Sequence, residues 1–300
     1  MSALGLTPSY LSLVNALHRE GSMSTYVHIR VGRRSKDTVP YLGQKMTTGL
    51  GNQENLEDEM NIAIPSYNNP KSLVKCIENI QKHSPDSRIY VCEDETRTNI
   101  DVHWYCHNPV PVGVGAARRV LTENILKEYP DDILLQLDDN SKVGEGAIDR
   151  VKTAMENNPE FAWIGALNAY KHWVISSGIS LKRIEEDIHF CNHIGACFAA
   201  INPRFLHQCG NFSFLITKED VEMCFRAWAN NWYVGMIDVN FTHTRGKERD
   251  ETHPFHPDSK AVLGANLYIA NEYPAHVKLL GKNKLGKLFK FPEEVYKVDG

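Results

Sequence analysis

Three times between Asn61 and Met155, a short apolar run ends in a polar cluster and is followed by apolar residues at helical spacing. Asn61-Ile62-Ala63-Ile64 runs into the polar turn Pro65-Ser66-Tyr67-Asn68-Asn69, after which Leu73, Ile77 and Ile80 fall on one helical face. Asn69 suits an N-cap and Pro70 the first helical position. Ile89-Tyr90-Val91-Cys92 ends in Glu93-Asp94-Glu95, and after a segment ending at Asn108, Gly113-Val114-Gly115 opens a helix through Ala116, Arg118 and Leu121. Ile133-Leu134-Leu135-Gln136-Leu137 stops at Asp138-Asp139-Asn140, with Ile148, Val151 and Met155 on one face of the helix beyond. Continuous apolar strands are buried on both faces, and strand–helix alternation gives a parallel sheet with helices packed on it. Ligands of such sheets bind beyond the C-terminal strand ends. The pattern therefore predicts an α/β fold with one crevice that receives Ser66, Tyr67, Asn68, Glu93, Asp94, Asp138 and Asp139.

The second half is more mixed. Strand-like runs at Phe161–Ala166, 195–200 and Tyr233–Ile237 are separated by loops and by a helix starting near Glu219. Residues 1–60 read as an N-terminal extension with a short helix around Leu11, Val14 and Leu17, a strand at 26–31 and a loop at 43–53. Residues 246–300 read as a polar lid loop (246–260) and a basic C-terminal extension carrying Lys278, Lys282, Lys284, Lys287 and Lys290. At 42% hydrophobic and 23% charged residues, wholesale disorder and fibrous architectures are excluded. The net charge of -4 provides no global basic field for nucleic acid. No apolar run reaches membrane-spanning length, and Met1 to Glu20 lacks the marks of a signal peptide. Seven scattered cysteines without a CxxC pair suit reduced thiols, so a cytoplasmic location is expected, or a host cytoplasm for a viral protein.

Several of these residues suit chemistry. Adjacent carboxylates such as Asp138 and Asp139 repel unless a cation lies between them, and a hard divalent ion, Mn²⁺ or Mg²⁺, is the natural partner. Such an ion bridges the phosphates of a nucleoside diphosphate and stabilises it as a leaving group. The same residues also serve as a loop and helix cap. Glu219 and Asp220 open a helix, where the macrodipole favours them, and either carboxylate suits a general base for a hydroxyl. His243 is a further metal-ligand candidate. Gly113-Val114-Gly115-Ala116-Ala117-Arg118 places glycines and an arginine at a helix start, as phosphate binding requires, although it lacks the dinucleotide fingerprint.

In this order, Ile62 to Asn68, Cys92-Glu93-Asp94, Gly113 to Arg118, Leu137 to Asn140, Lys218-Glu219-Asp220 and His243 resemble the family 2-type GT-A glycosyltransferases over residues 61–245. The resemblance implies a GT-A (Rossmann-like) mixed, mostly parallel sheet flanked by helices. It implies transfer from a nucleotide-sugar donor, a UDP-sugar first, with Mn²⁺ or Mg²⁺ as cofactor. Pro65, Ser66, Tyr67, Asp94, Arg118 and Asp138 would contact the donor nucleotide. Asp139, Asn140 and His243 would hold the metal. Asp220, of the Glu219-Asp220 pair, would be the base of an inverting displacement. Gly195-Ala196-Cys197 resembles the small-residue strand near sugar and acceptor. Asn140 departs from a carboxylate at the third acidic position. The acceptor stays open among a carbohydrate, a small molecule and a modified DNA base of the kind viral enzymes glycosylate, for which Arg30, Arg33 and Arg34 offer phosphate contacts. A nucleotide-sugar-binding module without turnover is the alternative outside catalysis.

Overall fold

The computed structural model describes residues 59–167, 181–182, 188–191, 193–244, 265, 267–269 and 271–273. The elements expected at 11–17, 26–31 and 43–53, the loop 246–260 and the C-terminal lysines lie outside the described residues. The strands are β1 (Asn61–Tyr67), β2 (Arg88–Asp94), β3 (Trp104–Asn108), β4 (Leu134–Leu137), β5 (Ser141–Val143), β6 (Phe161–Ala166), β7 (Leu181–Lys182), β8 (His189–Phe190), β9 (Phe198–Ile201), β10 (Tyr233–Ile237) and β11 (Phe241–His243). The helices are α1 (Pro70–His83), α2 (Val114–Glu128), α3 (Ala147–Asn157), α4 (Pro203–Cys209) and α5 (Glu219–Ala229).

Nine strands form one sheet in the order β3-β2-β1-β4-β9-β6-β10-β8-β7, and β5 with β11 forms a separate two-stranded ribbon. The sheet is mixed and mostly parallel: β9 runs against β4 and β6, β8 runs against β10 and β7, and the other strands share one direction. The apolar runs are buried as their composition demands, with β4, β6 and β9 buried at every position. The helical spacing also holds: α1 buries Leu73, Cys76, Ile77 and Ile80, and α3 buries Ile148, Val151 and Met155. Each fully buried aliphatic or aromatic side chain contributes roughly 1.5–3 kcal/mol of transfer free energy.

Three local features differ from the sequence expectation. Strand β1 continues through Pro65 and Ser66 to Tyr67 rather than turning at Pro65. Pairing with β4 has already ended at Ala63–Gln136, so a proline beyond that point removes no donor from that ladder. Asn69 stands at the N-cap of α1 without a side-chain cap hydrogen bond, because its amide reaches across to Asp139. The run at 195–200 becomes strand only from Phe198 and is antiparallel to its neighbours. A reversed strand brings its N-terminal end to the edge where its neighbours bring their C-terminal ends. Residues 193–197 thereby join the crevice.

Candidate active site

Arg118 is the electrostatic centre of the crevice. It sits on α2, whose start is packed tightly: a Cβ on Gly115 would lie 2.3 Å from the Leu215 carbonyl oxygen and 2.5 Å from that of Ser213. Arg118 is 3% exposed. Its Nε donates to Glu219 Oε1 (3.1 Å), Nη1 to Gln136 Oε1 (3.0 Å) and to the Ala196 carbonyl (3.3 Å), and Nη2 to Asp138 Oδ1 (2.6 Å). The sequence places this guanidinium beside a diphosphate. In the structure it is engaged by protein acceptors, joining α2, β4, the segment before β9 and α5.

The two aspartates after β4 point to different partners. Asp139 accepts from Ser66 Oγ (2.7 Å) and Asn69 Nδ2 (3.3 Å). Asp138, besides Arg118, has its Oδ2 3.3 Å from His243 Nε2. Asp138 is thus the carboxylate facing the histidine, while Asp139, expected as a metal ligand, is bonded to Ser66 and Asn69. Ribbon pairing makes this arrangement: His243 pairs with Ser141, and Asn140 exchanges bonds with Thr244 through Thr244 N to the Asn140 carbonyl (3.1 Å) and Asn140 Nδ2 to the Thr244 carbonyl (2.7 Å). Asn140 Oδ1 is buried without a hydrogen-bond partner, and the facing polar neighbour of His243 Nε2 is Asp138 Oδ2. Buried lone pairs left unmatched cost free energy unless a ligand takes them. No group of three or more His, Cys, Asp or Glu among the described residues is spaced for a metal ion.

Asp94 is buried and closed. Its Oδ1 accepts from Asn108 Nδ2 (2.9 Å), and its Oδ2 accepts from the backbone N–H groups of Val112 (3.0 Å) and Gly113 (3.3 Å). Its direct work is to fix the turn that leads into α2, whereas the sequence reading has it on the nucleotide. Glu93 is likewise occupied, by Thr98 and Tyr105. Tyr67, by contrast, is 38% exposed at the crevice rim, with Pro65 and Ser66 buried behind it on β1.

Glu219 and Asp220 differ although adjacent. Glu219 is buried against Arg118, while Asp220 is half-buried and accepts from Val221 N (2.8 Å). Lys218 before them has φ 67°, and Asn68 (48°) and Glu95 (65°) adopt the same left-handed region just past β1 and β2. Non-glycine residues held there cost free energy and cluster at functional sites.

The carboxylates of the crevice do not all titrate in the ordinary range. Burial raises the Asp138 carboxyl, but Arg118 and His243 outweigh it and hold it at about 2. Burial and then the Asp220 charge push Glu219 up to about 8, against the pull of Arg118. Burial pushes Asp139 up to about 6, opposed by its hydrogen bonds to Ser66 and Asn69. The raised value for Glu219 means that the native state holds a proton the unfolded chain releases near the ordinary value of 4.5. That stabilisation is complete below 4.5 and is lost as pH rises through about 8. The melting temperature is therefore expected to fall across this window and to fall less steeply in Glu219→Gln; identical slopes for the two proteins would remove Glu219 as the cause.

The sequence missed His193. It lies in the loop before β9, half-buried, with Nδ1 lacking a hydrogen-bond partner. Burial lowers its pKa, opposed by the charge of nearby Asp220. No motif marks it, because it reaches the crevice only through the reversed direction of β9.

No model of a known protein family matches the chain, and no curated protein does. Among solved structures, GalNAc-T7 with UDP, GalNAc and Mn²⁺ superposes with a TM-score of 0.53 at 11% identity, over 95% of this chain. The fold is GT-A. This GT-A chain spans 63% of the GalNAc-T7 chain. The mannosyltransferase PcManGT from Pyrobaculum calidifontis, in complex with GDP-Man and Mn²⁺, follows at TM-score 0.46 and 11% identity, covering 79% of this chain and 77% of its own. A197 from STIV reaches 0.41 at 16% identity, covering 62% and 87%. In this GT-A sheet the ends of β1, β2 and β4 bring Tyr67, Asp94 and Asp138 to one edge, and α5 adds Asp220. No helix among the described residues is long and apolar enough to cross a membrane.

Proposed function

We propose that this chain is a metal-assisted, family 2-like glycosyltransferase that moves a sugar from a nucleoside-diphosphate sugar, a UDP-sugar first, to an acceptor hydroxyl with inversion. Residues 61–245 would be the catalytic domain and 1–60 and 246–300 its extensions. The observation that carries the reading is Arg118, which bonds both Asp138 and Glu219, the neighbour of the half-buried Asp220, with His243 3.3 Å from Asp138 and Asn140 Oδ1 buried without a partner. GalNAc-T7, whose fold this chain shares, holds UDP, GalNAc and Mn²⁺, which supports a nucleotide-sugar donor and a divalent cation.

Asp138, Asn140 and His243 would hold the cation, since an oxygen pair and an imidazole make an adequate hard-ion set. When bound, such an ion neutralises charge on the departing diphosphate. The protein's own groups do the rest. Pro65, Ser66 and Tyr67 form the β1 edge along which the nucleotide lies. Arg118 fixes the orientation of Asp138. Asp220 removes the acceptor hydroxyl proton as the oxygen bonds to the anomeric carbon and the carbon–oxygen bond to phosphate breaks, its electron pair leaving with the diphosphate. Displacement from the opposite face inverts the anomeric centre. The acceptor is a hydroxyl of a carbohydrate, a small molecule or a modified DNA base. Arg30, Arg33, Arg34 and the C-terminal lysines, which a DNA acceptor would engage, lie outside the described residues.

The test is the melting temperature in the presence of UDP- and GDP-sugars, with and without Mn²⁺. A ligand at about a hundred times its Kd adds roughly 2.7 kcal/mol to native stability. We expect one nucleotide-sugar to raise the transition by several degrees with Mn²⁺, and His243→Ala to abolish the metal-dependent part. The reading fails if no nucleotide-sugar moves the transition under either condition.

A further inference from the structure

We propose that His193 is an acceptor-binding residue, whose ring Nδ1 donates a hydrogen bond to the acceptor hydroxyl oxygen while Asp220 takes that hydroxyl's proton. The inference rests on the glycosyltransferase reading above and extends it to the acceptor side of the site. Three observations support it.

First, Nδ1 of His193 is buried and has no hydrogen-bond partner. An imidazole nitrogen in that condition costs free energy unless something outside the protein meets it. Second, the position is built by the fold. His193 lies in the loop leading to β9, three residues before Ala196, whose carbonyl is a partner of Arg118, and four before Cys197, whose carbonyl accepts from Asp138 N (3.2 Å) and Ser141 Oγ (3.0 Å). The next residue, Ile194, accepts from Cys224 Sγ of α5 through its carbonyl (3.7 Å). The loop is therefore tied to both Arg118 and the helix that carries Asp220. Third, the charged groups that act on the ring are Asp220 and Lys218, the one favouring and the other opposing its protonation. The ring is thus within electrostatic reach of Asp220, and the proposal puts the acceptor hydroxyl between the two side chains.

The chemistry follows from the ring's state. Burial disfavours the imidazolium and so favours the neutral ring, which has a single N–H. With that proton on Nδ1, the ring donates to the acceptor oxygen and cannot compete for the hydroxyl proton, which is left to Asp220. The oxygen lone pair is then directed to the anomeric carbon. Transfer to water, which is donor hydrolysis, uses the same arrangement.

The experiment is hydrolysis of the nucleotide-sugar that stabilises the wild type, measured with Mn²⁺ for wild type, His193→Ala and His193→Asn, together with the donor-induced melting shift of each. Asn carries an amide N–H near the place of Nδ1. We expect His193→Ala to lower kcat by about 10- to 100-fold with the donor KM and melting shift unchanged, and His193→Asn to recover most of the loss. The melting curve of each variant reports whether it is folded, and His193→Asn supplies the measurement should the alanine variant not fold. Equal kcat in all three proteins, or a loss confined to donor KM, overturns the assignment while leaving the proposed function standing. A wild type that no nucleotide-sugar stabilises overturns both.

Discussion

Asp220→Asn is expected to lower turnover by roughly 10²- to 10⁴-fold, the contribution of a positioned general base. It should leave the fold and the donor-induced melting shift in place. The expectation rests on how Asp220 is held. Among the described residues, the hydrogen bond to its carboxylate is from Val221 N, at 2.8 Å to Oδ1, and an asparagine preserves that contact. The side chain is half-buried, while its neighbour Glu219 is buried and bonded to Arg118. The substitution therefore removes a proton acceptor and little else. Hydrolysis of the stabilising nucleotide-sugar at close to the wild-type rate would rule Asp220 out as the base and shift attention to Glu219.

A larger structural effect is expected at Arg118. Arg118→Met leaves Asp138 and Glu219 without their shared cation, and the Gln136 side-chain oxygen and Ala196 carbonyl without a donor. Removing one partner of a buried ion pair costs about 3–5 kcal/mol, because the remaining charges stay buried. For a domain of this size that corresponds to a melting temperature lower by roughly 10 °C. Arg118→Lys should recover only part of the loss, since one ammonium cannot fork to acceptors that lie in four directions. A thermal scan settles the matter: a transition for Arg118→Met within about 2 °C of wild type would show that the four bonds contribute little.

The sheet was legible in the sequence wherever a strand is buried on both faces. The runs that became β1, β2, β4, β6 and β10 needed only their continuous apolar character to be read, and α1 and α3 needed only their spacing. Strand β3 was not read because it is an edge strand whose burial alternates, with Tyr105 and His107 less buried than their neighbours. The ribbon of β5 and β11 has three residues in each strand, too few for any periodicity to register. Strand direction leaves no trace in hydrophobicity, so the reversal of β9 was hidden, and His193 with it. The acidic clusters were visible, but their partners were not. Whether Asp138 or Asp139 faces His243, and whether Asp94 faces outward or caps a turn, depends on side chains far away in the sequence.

The ribbon also determines when the molecule can first act. Ser141 and His243 are about a hundred positions apart, and joining them requires closing a loop whose entropic cost grows with the logarithm of its length. Contacts of such long range form slowly relative to local ones. A nascent or truncated chain that stops before Phe241 has Asp138 and Asn140 but neither the pairing strand nor the imidazole. On the proposed function, ion capture would be a checkpoint late in folding, and partly folded chains would leave the donor untouched.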